Sequence, residues 1–289
     1  MRRLLALCAL STSVLLCQNA GIDGLVRDQS QAAVPNATVT VVNLDTGLQR
    51  TATTNNSGTY SVPLLPVGRY GITASAAGFG AESRPELKLD TQQVARLDFT
   101  LKPGALTESI NVSAATALLD SETSTVGQVI NTRQIVDLPL NGRNYLSLSL
   151  LTAGTAPDTR GRTGSEGGFS ASGQHQYQVN ITVDGLDNTT RGSGGPLGYE
   201  AQVVKPSIDA VEEFRVVTNN LSAEYGYRMG GQVFVTTRSG TNQIHGGAYE
   251  FLRNDKLDGT NFFANAKGAG KPPYKQNQFG GTMGGPIWK

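Results

Sequence analysis

From His175 to Phe251 short apolar runs alternate with glycine-bearing breaks, a rhythm that restricts the chain to strands joined by tight turns. Val179, Ile181 and Val183 alternate with polar residues and stop at Asp184-Gly185, so a half-buried strand is expected to end in a turn there. Ile208 to Val211 lead into Phe214 and Val216. After a Gly-rich break, Gln232 to Arg238 again carries strand residues and ends at Ser239-Gly240. Glycine supplies 35 of the 289 residues and aromatics only 7%, which favours strands, turns and polar loops over helices. The fold expected is mainly β.

A first unit is expected over residues 22–101. Val39 and Val41 alternate with threonine, Tyr60-Ser-Val62 precedes Pro63, and Tyr70-Gly-Ile72 and Leu97-Asp-Phe99-Thr-Leu101 complete a series of short strands. Turn signals at Pro35-Asn36, Asp45-Thr-Gly47, Asn56-Ser-Gly58 and Pro66-Val-Gly68 separate them by roughly 8–12 residues, the spacing of a small β-sandwich. Tyr60 and Tyr70 fall at alternating positions, which assigns them to its core; the other reading is an exposed aromatic surface for a ligand.

Ahead of that unit, residues 1–20 read as a secretory signal peptide. Arg2-Arg3 give the positive start, Leu4 to Leu16 the apolar stretch, and Gln18-Asn-Ala20 a cleavage region. Cys8 and Cys17 both lie inside it, so a processed chain has no cysteine and no disulfide. Charged residues are 16% and the net charge is +1, so no nucleic-acid partner is expected.

Pro103-Gly104 breaks the strand pattern and opens a linker over 102–125. The helix signal is strongest in residues 126–152. Asn131 or Thr132 is placed to cap a short helix that Pro139 stops, Asn141-Gly142 centres a turn, and Leu146, Leu148, Leu150 and Leu151 mark a second helical stretch ended by Gly154. Residues 155–174 and 189–200 are Gly/Ser-rich and read as loops.

Enzyme chemistry finds no support. The clustered glycines at 161–168 lack the Gly-Lys-Ser/Thr ending of a phosphate loop. His175 and His245, both in strand contexts, are too far apart to form a metal-binding motif, and Asp184, Asp187 and Asp209 do not follow a calcium-loop spacing. Ser165 and Ser239 lack an elbow motif, and Glu212-Glu213, as neighbours on a strand, point to opposite faces. No cofactor, metal or catalytic residue is expected.

Three motifs occur in order: VDGLDN at 183–188, VEEFRVVTNNLSAEYG at 211–226 and GGQVFVTTRSGTNQIHGGAYEFLRND at 230–255. Together they resemble the plug and first barrel segment of TonB-dependent outer-membrane receptors, in the Oar-like branch. LPLNGRNYLSLSLLTAG at 138–154 resembles that branch's early plug motif, and residues 22–101 resemble a carboxypeptidase-regulatory-like domain of transthyretin-like fold. The resemblance implies a β-sandwich, a linker, an α+β plug over 126–240 and the first strands of an incomplete β-barrel over 241–289.

It also implies roles for particular residues. Thr107, Glu108, Ser109, Ile110, Asn111, Val112, Ser113 and Ala114 resemble the TonB box, an extended segment that a periplasmic TonB-type energy-transducing protein captures by strand addition; read without the resemblance, they are a linker holding a strand. Leu138, Pro139, Asn141, Gly142, Arg143 and Asn144 belong to the plug motifs, as do Asp184, Gly185, Asp187, Asn188, Glu213, Phe214, Glu224, Tyr225 and Gly226. Arg143 and Asn144 are candidates for fixing their loop, and Arg160, Arg162 and Arg191 for facing a small-molecule, glycan or peptide substrate.

Residues 246–251 and 276–287 read as two barrel strands, whereas a closed barrel needs at least about eight. The chain is therefore expected to be the N-terminal part of an outer-membrane receptor, unable to transport alone. The alternative is a secreted or periplasmic carbohydrate-binding or adhesion sandwich.

Overall fold

The computed structural model describes residues 20–104, 109–111, 124–138, 140, 143–157, 168–190, 202–225, 229–260 and 262–286. The export segment up to Asn19, residues 107, 108 and 112–114, Pro139, Asn141, Gly142, Arg160, Arg162, Arg191 and Gly226 lie outside them. The chain is mainly β and forms two compact units that divide between Ser239 and Gly240.

The first unit opens with β1 (Ala20–Asp28), β2 (Thr38–Asn43), β3 (Gln49–Thr53), β4 (Thr59–Leu65), β5 (Gly68–Ser75), β6 (Ala81–Leu89), β7 (Val94–Arg96), β8 (Phe99–Leu101) and β9 (Ser109–Asn111). β1 pairs antiparallel with β4 and in parallel with β7 and β8. The other sheet runs β3-β2-β5-β6-β9, antiparallel except for the last pair. Two sheets facing each other are what alternating strands require, because a single sheet leaves its apolar face in water. Ile22, Val26, Val39, Val41, Ile72 and Leu101 fill the space between them and are fully buried. Each such side chain contributes about 1.5–3 kcal/mol.

Tyr60 and Tyr70 belong to that core, and each satisfies its hydroxyl by donating to a backbone carbonyl: Leu97 at 2.7 Å and Pro66 at 2.6 Å. With Phe99 buried and Phe79 half-buried, no aromatic ring of the sandwich stands exposed as a ligand platform. β1 begins at Ala20, the last residue of the expected export segment, and Ala20 pairs with Leu65.

The second sheet follows within the same unit. Its elements are β10 (Val126–Ile130), α1 (Thr132–Asp137), a 3-10 helix (Tyr145–Leu151), β11 (Thr155–Pro157), β12 (Phe169–Ala171), β13 (Asn180–Val183), β14 (Leu186–Asp187), β15 (Val211–Asn219) and β16 (Gln232–Thr237). The strand order is β10-β15-β16-β13-β14, with β13 parallel to β16 and the other pairs antiparallel.

Three features depart from the sequence expectation. Residues 126–130, inside the stretch of strongest helix signal, are strand: β-branched Val126, Val129 and Ile130 pair along β15 instead. The leucine-rich stretch is a 3-10 helix that buries Leu146 and Leu148 and exposes Leu150 and Leu151. Its leucines lack the 3.6-residue period that would commit them to an α-helix. Asn131 caps α1 as expected, in a reciprocal box with Gln134 at 3.1 Å each way. His175, expected in a strand, precedes a short 3-10 turn over Gln176–Gln178.

One face of the second sheet is apolar. Ile181, Phe214, Val216, Val233 and Val235 pack there against Ile130, Ile135, Tyr145 and Leu146. The opposite face presents the pairs Glu213–Thr236, Arg215–Phe234 and Val217–Gln232. Although largely polar, these six residues are at most 7% exposed.

The second unit holds β17 (His245–Asn254), α2 (Phe262–Ala266) and β18 (Lys275–Gly284). The two strands pair antiparallel without a shift from His245–Gly284 to Asn254–Lys275. Register places Tyr249 and Phe251 on one face with Gln276 and Gln278, and Leu252, Phe279 and Met283 on the other with Glu250. Phe279 and Met283 are 79% and 89% exposed, so this ribbon shows apolar side chains on a two-stranded surface. No described helix is long and apolar enough to cross a membrane, which says nothing of strands that do.

Candidate functional site at the sandwich turn

The turn between β6 and β7 ties the sandwich to the polar face of the second sheet. Asp90 and Gln93 close the turn, with the Gln93 amide donating to the Asp90 carbonyl and the Asp90 amide to the Gln93 side chain. Gln92 takes a left-handed conformation at its tip. The Thr91 amide donates to the Glu213 carboxylate, and the Thr91 and Thr236 hydroxyls lie 2.9 Å apart. Arg215 donates through Nη1 to the Gln92 carbonyl at 3.1 Å, and the Tyr225 hydroxyl donates to Gln92 Oε1 at 3.2 Å. Lys88 Nζ reaches Glu213 Oε2 at 3.3 Å and also pairs with Asp90.

The electrostatics are those of a carboxylate closed off from water. Burial, reinforced by the charge of Asp90, raises the Glu213 carboxyl above its usual range despite Lys88 and the Thr91 amide. Burial alone would lower the Lys88 amine, but the hydrogen bond to Asp90 and the charge of Glu213 outweigh it and hold the amine up. Both partners shift upward, so desolvation of the carboxylate, rather than the ion pair, dominates at Glu213.

The same sheet fixes the end of the linker. Arg215 Nη2 donates to Thr125 Oγ1 and Asn220 Nδ2 to the Ser124 carbonyl, both at 3.1 Å. At the other end of the linker, Ser109, Ile110 and Asn111 form β9 and pair in parallel with Ala81, Glu82 and Ser83 of β6. One edge of the backbone expected to be exposed there is therefore already paired over these three residues.

The remaining motif residues sort by what they hold. Arg143 pairs with Asp209 at 2.7 Å, and Asn144 Oδ1 accepts from the Leu146 amide at the start of the 3-10 helix. Leu138 closes α1 and is partly exposed. Asp184-Gly185 forms the two-residue turn between β13 and β14, with both residues at positive φ, 47° and 81°. The Asp184 carboxylate accepts from the Thr237 amide at 2.9 Å and its hydroxyl at 2.6 Å. Asp187 accepts from the Thr189 amide, while Asn188 exchanges two bonds with the backbone of Val204, at 2.7 and 2.8 Å. Phe214 meets Tyr145 edge-on with ring centroids 5.4 Å apart, and Tyr225 meets Phe234 at 4.7 Å. Glu224 lies in a short 3-10 turn over Ala223–Tyr225.

Sequence reasoning missed Lys88, Thr91, Gln92, Arg215 and Thr236. Nothing in Asp90-Thr-Gln-Gln93 marks it as a docking turn. Glu213 and Arg215, spaced by two on a strand, carry the ordinary signature of a solvent face.

Comparison with known proteins gives two domain matches and a similar transporter. Residues 21–102 match the carboxypeptidase regulatory-like domain, and residues 236–289 match an outer membrane beta barrel domain. Over 96% of its length the chain is 28% identical to the TonB-dependent transporter Oar of Myxococcus xanthus. The chain is thus similar, along nearly all of its length, to part of a TonB-dependent transporter. It spans 26% of the length of that Oar relative. In this chain the sandwich coincides with the regulatory-like domain, and β17 and β18 fall within the barrel match. Among solved structures, the TIE protein of Bacillus anthracis is 17% identical over 30% of this chain and 17% of its own, with a TM-score of 0.27. A streptococcal ancillary pilin is 14% identical over 30% of this chain and 33% of its own, with a TM-score of 0.25. Likenesses this low add nothing to the reading of this chain.

Proposed function

We propose that this chain is the front of an outer-membrane receptor for energised, ligand-gated uptake. The observation that carries the proposal is the similarity to Oar along 96% of the chain, a span that takes in the sandwich, the second sheet and the strand pair. On this reading residues 1–20 direct export, the sandwich stands on the periplasmic side, and the second sheet over 126–240 is the plug. β17 and β18 are the first strands of the barrel wall. Two strands leave backbone groups unsatisfied at both edges, so a wall in hydrocarbon needs the further strands of a longer receptor.

The segment 107–114 is the point of capture by a TonB-type protein. It precedes Ser124 and Thr125, which the sheet grips through Asn220 and Arg215, so a pull on the segment once it is free of β6 loads that sheet. Arg160, Arg162 and Arg191 belong to the loops offered to the substrate. No side chain here is assigned catalysis; binding and gating are the work of the receptor.

The test is site-directed cross-linking in cells that make the complete receptor. Cysteines placed singly across 107–114 are expected to form disulfides with cysteines in the periplasmic domain of the TonB-type protein, while cysteines at Leu44 and Leu48, exposed on the sandwich, do not. Equal cross-linking at both places overturns the assignment. Cell fractionation is expected to place the receptor in the outer membrane, and removal of residues 1–20 to leave it in the cytoplasm.

A further inference from the structure

The parallel pairing of β9 with β6 sets Ser109, Ile110 and Asn111 beside Ala81, Glu82 and Ser83, inside the segment assigned to capture. The β6 side of this contact is firmly built. β6 pairs along its other edge with β5, and Ser83 lies 3.2 Å from the Thr73 hydroxyl across that pair. Glu82, only 7% exposed, accepts from the Thr100 amide at 2.9 Å and pairs with Arg84 at 3.0 Å. β9 by contrast is three residues long and joined in parallel, the weaker mode of pairing per residue. A rigid edge thus holds a short strand.

We propose that the β6 edge from Ala81 to Ser83 is an intramolecular docking site for the capture segment, and that β6 and the TonB-type partner compete for it. The proposal rests on the reading of 107–114 as that segment. Capture by strand addition uses the segment's extended backbone, and β6 already holds one edge of it over residues 109–111, where the sandwich stands beside an incoming strand. The mechanical argument points the same way. While β9 stays on β6, a pull on the segment is borne by the sandwich and does not reach Ser124 and Thr125. Release from β6 is therefore the step that transfers load to the second sheet. Docking also lowers the partner's apparent affinity by the fraction of segments that are free.

The experiment uses the full chain with Cys8 and Cys17 replaced by serine and a cysteine pair at A81C and S109C, which are register partners. The probe is the periplasmic domain of a TonB-type protein; a synthetic peptide covering residues 105–116 serves as a second ligand for that domain. The peptide is expected to bind, the disulfide to form on oxidation, and the oxidised chain to bind at least about tenfold more weakly than the same chain reduced. If the peptide does not bind, the capture reading falls and this inference with it. If the peptide binds but oxidised and reduced chains bind alike, or the disulfide does not form, the docking site is overturned while the capture reading stands. Amide hydrogen exchange of the unsubstituted chain gives a second readout. Protection of residues 109–111 that is lost when the probe is added supports competition, and protection that the bound probe leaves unchanged overturns it.

Discussion

The amide of Thr91 donates to the carboxylate of Glu213, 122 residues further along the chain, and closes the polar face of the second sheet with a turn of the sandwich. β15 is thereby buried on both sides, by an apolar cluster under Phe214 and Val216 and by the turn over Glu213 and Arg215. A polar face covered in this way needs partners for its groups, since a buried acceptor without one costs more than a made bond contributes. The turn supplies them from its backbone, which fixes the place of the sandwich more narrowly than apolar contact would.

Replacing Glu213 with alanine is expected to loosen this junction. The Thr91 amide, in a fully buried residue, loses its acceptor, at a cost of about 1–3 kcal/mol. Lys88 adds little because its side chain is 55% exposed and returns to water. Glu213→Gln keeps an acceptor and should stay within about 1 kcal/mol of the parent. Trypsin cleavage after Lys88, together with the thermal midpoint, reads the difference; alanine and glutamine variants that behave alike would refute the role of the bond.

The junction also carries a pH dependence whose sign follows from the two shifts. Glu213 is raised by its burial in the docked state, so its contribution is fully present below the ordinary glutamate value of 4.5 and is lost as the pH rises through the raised value. Lys88 is raised as well, so its contribution holds below the ordinary lysine value of 10.5 and fades only at more alkaline pH. The turn is expected to dock most firmly on the acid side of neutrality and to loosen in two steps as the pH rises. The first step should be missing in Glu213→Gln, and the second in Lys88→Met. Hydrogen exchange at residues 90–93 across the pH range checks both.

How much of this was legible in the sequence depends on whether a residue's partner is local. Val39 and Val41, or Tyr60 and Val62, declare a sandwich because alternation is a property of one strand. Asn131 and Gln134 declare a helix start because the capping box spans three residues. β6 was not legible: Ala81-Glu-Ser-Arg-Pro-Glu-Leu-Lys-Leu89 carries Pro85 and four charges, and its pairing is set by β5 and β9. The junction was hidden for the same reason. Glu213 and Arg215 become buried only when a turn more than a hundred residues away arrives over them, and no periodicity records that arrival.

Asn188 tests a different hold. Its side chain donates to the Val204 carbonyl and accepts from the Val204 amide, so it pairs that backbone as a neighbouring strand would. Alanine removes both bonds from a residue that is 6% exposed, and a loss of about 1–3 kcal/mol is expected in denaturant unfolding. Aspartate, which when ionised only accepts, should recover less than half of the loss because the Val204 carbonyl stays unpaired. Full recovery by aspartate would show that the carbonyl bond is not needed.

The turn at Asp184-Gly185 separates backbone strain from side-chain bonding. Both residues have positive φ, the requirement of a two-residue turn whose twist matches its flanking strands. Glycine meets that requirement freely, whereas a β-branched residue at Gly185 forces its Cβ against the following carbonyl. Gly185→Val is therefore expected to cost at least about 1–2 kcal/mol. Asp184→Asn tolerates the same conformation and keeps an acceptor for the Thr237 amide and hydroxyl, so it should cost less than about 1 kcal/mol. Asp184→Ala loses both bonds and the tolerance together and should fall nearer the valine variant. Because β13 pairs with β16 next to this turn, the loss should show as faster hydrogen exchange at Ile181 and Val183. An alanine variant as stable as the asparagine variant would mean that Thr237 finds water in place of Asp184, and that the turn is held by its glycine alone.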